Sequence, residues 1–168
     1  MISFIVYGKP QAKERPRVVR NQNGKVHTYT PNKTAEYEIA VQAAFIDALP
    51  IEEQTRIILD GEYYYPAGTP LTVRIMAYFK VPKNKIDKGG GIIGYPTKRP
   101  DLDNVAKSIC DSLNGTAYKD DSQVVDLGIS KSWTKSDERV VVHISPTDEN
   151  YYLTEKLYLK SKKSPENG

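Results

Sequence analysis

Residues 97–123 read TKRPDLDNVAKSICDSLNGTAYKDDSQ and hold the side chains best suited to chemistry. Asp101 and Asp103 stand two apart, Asn104 follows, and then come Lys107 and Asp111. Beyond the Asn114-Gly115 pair lie the adjacent carboxylates Asp120 and Asp121. Mg²⁺ takes hard oxygen ligands and keeps several waters, so a few carboxylates can hold it and leave positions for phosphate oxygens. The ion polarises a phosphodiester and makes water more acidic. A lysine close by, such as Lys107, would stabilise the charge that develops on the phosphate. The pattern suggests metal-assisted phosphodiester chemistry.

A plainer reading stands beside it. An Asp at a helix start is usually a cap, and paired Asp residues in a loop are usually solvated. A calcium EF-hand does not fit: counting from Asp101, Ala106 stands where the loop needs Gly and Ser112 where it needs Glu.

The elements that must position these groups follow from the same stretch. Pro100 pushes Arg99 out of helical geometry, so a helix starts after it. Leu102, Val105, Ala106, Ile109, Cys110 and Leu113 recur at helical spacing and form an apolar face. Asn114-Gly115 stops the helix. Asp101 or Asp103 can cap it, and Lys107 and Asp111 follow Asp103 at one-turn intervals. The loop 114–119 is expected to return Asp120 or Asp121 to the helix start. Asp111 also suits a structural ion pair.

The run Arg99-Pro100-Asp101-Leu102-Asp103-Asn104, with Lys107, Asp111 and Asp120-Asp121, resembles the signature of the RusA family. These are Holliday junction resolvases, often encoded by prophages. The ordered pattern PDxDNxxKxxxDxL, a short turn and a DD pair covers about one sixth of the chain. The opening GKPQAKERPR at residues 8–17 is also similar to the family's. The resemblance implies a Mg²⁺-dependent, homodimeric endodeoxyribonuclease, with Mn²⁺ as a substitute, that nicks four-way DNA junctions symmetrically in recombination and repair. Carried over by position, Asp101, Asp103 and Asp121 would be the catalytic and metal-binding carboxylates, with Asp120 as a further ligand. Lys107 would match the family's essential basic residue. Lys98 and Arg99 would contact DNA.

Composition narrows the rest. The chain has 168 residues, 39% hydrophobic and 27% charged, with a net charge of +3, which suits one soluble domain. Charge distribution says more than the total. Residues 9–25 hold six basic side chains against Glu14, and residues 80–99 hold six against Asp87. On one face with the Asp cluster they would grip phosphates; dispersed, they would only solvate loops. Cys110 is the single cysteine, so there is no internal disulfide, and with only His27 and His143 beside it no zinc site is expected. It reads as a buried hydrophobe, not a catalytic thiol. No signal peptide or membrane span is expected, and the default location is cytoplasmic. Gly89-Gly90-Gly91 lacks a GK[ST] ending, so no nucleotide cofactor is expected.

Along the chain, residues 2–7 read as a strand. Lys13, Arg15 and Arg17 alternate and, if extended, project one way as candidate DNA contacts. Residues 17–30 read as a hairpin about Asn23-Gly24. Residues 31–49 read as a helix capped by Asn32 or Thr34, with an apolar face that includes Tyr37, Val41 and Phe45. Residues 50–70 have weak periodicity and read as an insertion, with Tyr63-Tyr64-Tyr65 packing at a domain edge. Residues 71–81 alternate strongly as a strand, and 82–96 form a basic, Gly-rich, mobile loop. Residues 124–133 and 139–145 read as strands, with Asp126 either near the site or in solvent. The expectation is an α+β fold: a mixed sheet of about five strands with two main helices, a single RusA-like domain over 1–150, and a partly disordered C-terminal extension over 151–168. The expected function is Holliday junction resolution on branched DNA. A flap-type nuclease and a non-catalytic junction-binding protein are the alternatives.

Overall fold

The computed structural model describes residues 1–14, 17–20, 23, 26–29 and 31–148, with backbone alone for 17–20 and 26–29. Arg15, the side chain of Arg17 and the extension 151–168 lie outside the described residues.

In chain order the elements are β1 (Ile2–Tyr7), β2 (Arg17–Arg20), β3 (Val26–Tyr29), α1 (Asn32–Asp47), α2 (Ile51–Asp60), β4 (Leu71–Lys80), α3 (Leu102–Ser112), β5 (Val124–Thr134) and β6 (Arg139–Pro146). Short 3₁₀ turns occupy Lys83–Lys85 and Asp121–Gln123. β1, β6, β4 and β5 form a mixed sheet in that order, in which only the β4–β5 pair is parallel. The β4-to-β5 connection runs through α3. A parallel neighbour needs such a crossover, and this one places α3 over the sheet. The molecule is an α+β domain, as expected.

The period-two pattern of β4 is obeyed closely. Leu71, Val73, Ile75, Ala77 and Phe79 all point inward. With Phe4 and Val6 of β1 and Val140, Val142 and Ile144 of β6 they form the floor of the core. α1 closes it with Tyr37, Val41 and Phe45, and α3 with Val105, Ala106, Ile109 and Cys110. Edge-on ring contacts run from Phe4 through Phe45 and Tyr64 to Tyr65, whose hydroxyl donates to the Ile144 carbonyl. Tyr65 therefore lies in the core and Tyr64 packs against it, where packing at a domain edge was expected of this tyrosine run.

Three expectations need correction. The sheet has four strands, because β2 and β3 pair as a separate two-stranded hairpin. Residues 51–60 form a third helix. Pro50 precedes it, Glu52 and Glu53 complement the dipole of its first turn, and Gly61 ends it at φ +68°. Only Ile57 of α2 is buried, so its apolar signal is thin. Lastly, neither Asn32 nor Thr34 caps α1; Pro31 occupies the N-cap position, with no side-chain bond.

Candidate active site

α3 divides its residues cleanly. Val105, Ala106, Ile109 and Cys110 face the core. Asp103 and Lys107 are exposed and Asp111 is half-buried. These three lie at successive turns on the other side, so Asp103 and Asp111 are about 12 Å apart along the axis. Asp101 occupies the N-cap position with extended backbone, yet its side chain makes no capping bond. The capping role therefore does not account for Asp101.

The return turn is built with care. Gly115, at φ +73°, accepts the tight reversal, and its N–H donates to the Tyr118 carbonyl at 2.7 Å. The buried Tyr118 hydroxyl donates back to the Cys110 carbonyl at 2.9 Å. Gln123 donates to the Pro66 and Thr69 carbonyls at 3.0 and 3.2 Å and pins the far end. Asp120 accepts from the Ser122 backbone N–H at 2.9 Å, and its bonds to Ser122 hold its pKa below the usual carboxylate value. Asp121 faces Asp111. Burial raises the Asp121 pKa, and so do the hydrogen bond and charge of Asp111, followed by the charge of Asp120. The turn thus brings Asp121 beside Asp111 on α3.

The N-terminal segment docks on the same helix. The Lys13 N–H donates to the Asn104 carbonyl at 3.2 Å. The Lys13 ammonium lies 2.6 Å from Asp111 Oδ2 and 3.3 Å from Glu38 Oε1. Burial lowers its pKa, but the bonds and charges of Asp111 and Glu38 outweigh burial and the net shift is upward. Asp111 is therefore an ion-pair partner as well as a neighbour of Asp121.

The entry to α3 is held by a residue that sequence reasoning missed. Lys131 on β5 donates to the carbonyls of Lys98 and Pro100, at 2.9 and 3.1 Å. These bonds fix the segment immediately before Asp101. The Arg99–Pro100 peptide bond is cis. An open groove lies alongside, lined by Lys9, Lys13, Arg99, Asp101 and Asn104 among others. A carboxylate thus shares a groove with basic side chains. Among the described residues, Lys107 has no ion-pair partner.

Other candidates fall elsewhere. Asp126 is bound by Arg74 in a two-pronged pair at 3.0 and 2.6 Å, which lowers its pKa. Cys110 is buried, and burial pushes its thiol up to about 11, far from the reactive range. Trp133 packs against the core. No helix among the described residues is long and apolar enough to cross a membrane.

Among the described residues, no three carboxylate, imidazole or thiol groups already converge as a metal site. The donor chemistry nonetheless suits a hard divalent cation. Asp121 and Asp111 repel each other at close range, and Asp101 and Asp103 sit at the exposed start of α3. A cation among such oxygens would relieve that repulsion.

The chain matches the family model of endodeoxyribonuclease RusA over residues 7–145. It is also 34% identical over 149 residues to an uncharacterised Bacillus subtilis protein, YqaN, covering 85% of this chain and 94% of that one. The matched span contains β4, β5 and all but the last residue of β6, though only Tyr7 of β1, together with α3, the return turn and the basic groove. The chain therefore belongs to the RusA family of endodeoxyribonucleases.

Proposed function

We propose that this chain is a Mg²⁺-dependent endonuclease that resolves four-way DNA junctions by paired nicks. The observation that carries the reading is Asp101: placed as a helix cap but making no cap, it lies in a groove lined by Lys9 and Arg99. Positive side chains suit a phosphate backbone, and carboxylates among them suit a cation brought between protein and phosphate.

In this reading Asp101, Asp103 and Asp121 would hold Mg²⁺, with Asp120 as a further ligand. When bound, the ion supplies Lewis-acid polarisation of the scissile phosphate and a more acidic water. The Lys107 ammonium stabilises the negative charge that grows on the phosphate as the new oxygen–phosphorus bond forms and the bond to the leaving sugar oxygen breaks. Lys98, Arg99 and Lys9 bind flanking phosphates and hold the strand in register. Arg15 and Arg17, in the basic run of residues 9–25, would add further phosphate contacts. Lys131 keeps the backbone before Asp101 in place. Mn²⁺, also octahedral and oxygen-seeking, would substitute. A homodimer presents two such sites to two opposed strands of a two-fold symmetric junction.

Comparing cleavage of a four-way junction, a flap and a plain duplex of equal length tests this. The reading expects symmetric paired nicks confined to the four-way junction. Preferential flap cutting would make the protein a flap nuclease.

A further inference from the structure

Residues 82–96 carry an ordered finger. The Lys85 N–H donates to the Pro82 carbonyl, and the Ile93 N–H returns to the Lys85 carbonyl, both at 2.9 Å. Ile86 and Ile92 bridge in antiparallel fashion. At the tip, the Gly91 N–H donates to the Asp87 carboxylate at 2.6 Å, and Gly90 turns at φ +83°. A Cβ on Gly91 would come within 2.4 Å of that carboxylate. The Lys135 ammonium, from the β5–β6 turn, donates to the Gly90 carbonyl and braces the tip. The glycines therefore build a specific turn.

The finger exposes what folded chains normally hide. Ile92 is 42% exposed, Ile93 50% and Tyr95 76%. Lys83, Lys85 and Lys88 flank them, and the one acid, Asp87, is taken up by the turn. The finger leads directly through Lys98 and Arg99 to Asp101. An apolar strip that served only a protein partner would not need a surround of lysines. A strip that meets bases does, because every base is bordered by phosphates.

We propose that this finger is a branch-point reader: Ile92, Ile93 and Tyr95 pack on base faces exposed where DNA strands diverge, and Lys83, Lys85 and Lys88 hold the adjoining phosphates. Within a duplex, bases are stacked, and opening a step costs a few kcal/mol. At a branch point, faces are exposed or poorly stacked, so the same contact is gained without that cost. The finger thereby favours branched over linear DNA. The inference rests on the reading of the protein as a branched-DNA nuclease.

The test measures binding in EDTA to a four-way junction carrying 2-aminopurine at the branch point, and to a plain duplex. The proteins are the full chain and its Ile93→Ser/Tyr95→Ser variant. Both substituted side chains are exposed, and equal melting temperatures check that the fold is unchanged. The variant is expected to lose about tenfold in junction affinity, the order of one lost base stack. It should also lose the fluorescence change at the branch point, with duplex affinity nearly unaltered. Junction preference and fluorescence equal to wild type would overturn the finger's role and leave the nuclease reading standing. A wild-type protein with no junction preference would remove the branched-DNA reading and the finger with it. A shift of the variant from dimer to monomer in sedimentation, with intact junction contacts, would give the strip to a second copy of the chain and overturn the proposal.

Discussion

Lys13 Nζ lies 2.6 Å from Asp111 Oδ2, and Asp111 in turn faces Asp121, whose pKa it raises after burial. A residue of the N-terminal segment thus sets the surroundings of a carboxylate from the far end of α3. Glu38 on α1 joins the same ammonium at 3.3 Å. The ion pairs tie three separated stretches together at the edge of the candidate site.

Lys13→Met should therefore act through Asp111 and Asp121. The half-buried pairs it loses are worth about 1 kcal/mol of stability. Cleavage should fall by about tenfold or more as Asp121 loses its fixed neighbour. The salt dependence of DNA binding distinguishes this from a direct phosphate contact. Because the Lys13 charge is met inside the fold, the slope of log affinity against log salt should not change, whereas loss of a phosphate contact would lower it by about 0.9.

Asp121 gives a prediction with a defined pH sense. Its folded pKa is raised, so the folded state binds its proton more tightly than the unfolded chain does. The associated stability is complete below the unfolded carboxylate value of about 3.9 and is lost as pH rises through the folded value. In metal-free buffer at neutral pH, Asp121→Asn should therefore melt higher than wild type. Relief of one partly screened like-charge contact is worth about 0.5 kcal/mol. The gain should vanish toward pH 4, about the unfolded value. The same variant should not cleave DNA. A lower melting temperature at neutral pH would show that Asp121 is not held against its charge.

Lys131→Met should lower cleavage by about ten- to a hundredfold, since an ångström of misplacement at a reacting group costs that much. Two hydrogen bonds on a part-exposed chain contribute about 1 kcal/mol or less each, so the melting temperature should move only a few degrees. Single-turnover cleavage at saturating enzyme, with thermal melting in parallel, separates positioning from folding.

Asp126→Asn should leave cleavage within about twofold of wild type, because its carboxylate is committed to Arg74 and its loss is a surface ion-pair effect. Single-turnover rates check this. A large loss of cleavage would bring Asp126 into the site.

Much of this was legible in the chain. The alternation of Leu71 through Phe79 specified β4 and its buried side, and Pro100 with Asn114-Gly115 bracketed α3. The Asp-Lys-Asp spacing placed Asp103, Lys107 and Asp111 on one side of a helix. α2 was obscure because it buries so little of itself. The partners of Asp111 and Lys131 were obscure for a different reason: each bond joins residues far apart in sequence, and no local spacing encodes it. Lys131 in particular reads as a routine strand lysine until the β4–β5 crossover brings residues 98–100 beside it. The turn that the glycine run builds was obscure because its acceptor, Asp87, is a side chain and not a pattern.

The most direct test of the central claim is cleavage of a synthetic mobile four-way junction by wild type and Asp103→Asn, with Mg²⁺ or with EDTA. Asn serves at a helix start about as well as Asp, so this change spares the fold. The account predicts paired symmetric nicks that need both the metal and Asp103, with junction binding retained by the variant. Equal cleavage by Asp103→Asn, or tight binding with no cutting under any divalent metal, would contradict it and return the carboxylates to a structural role.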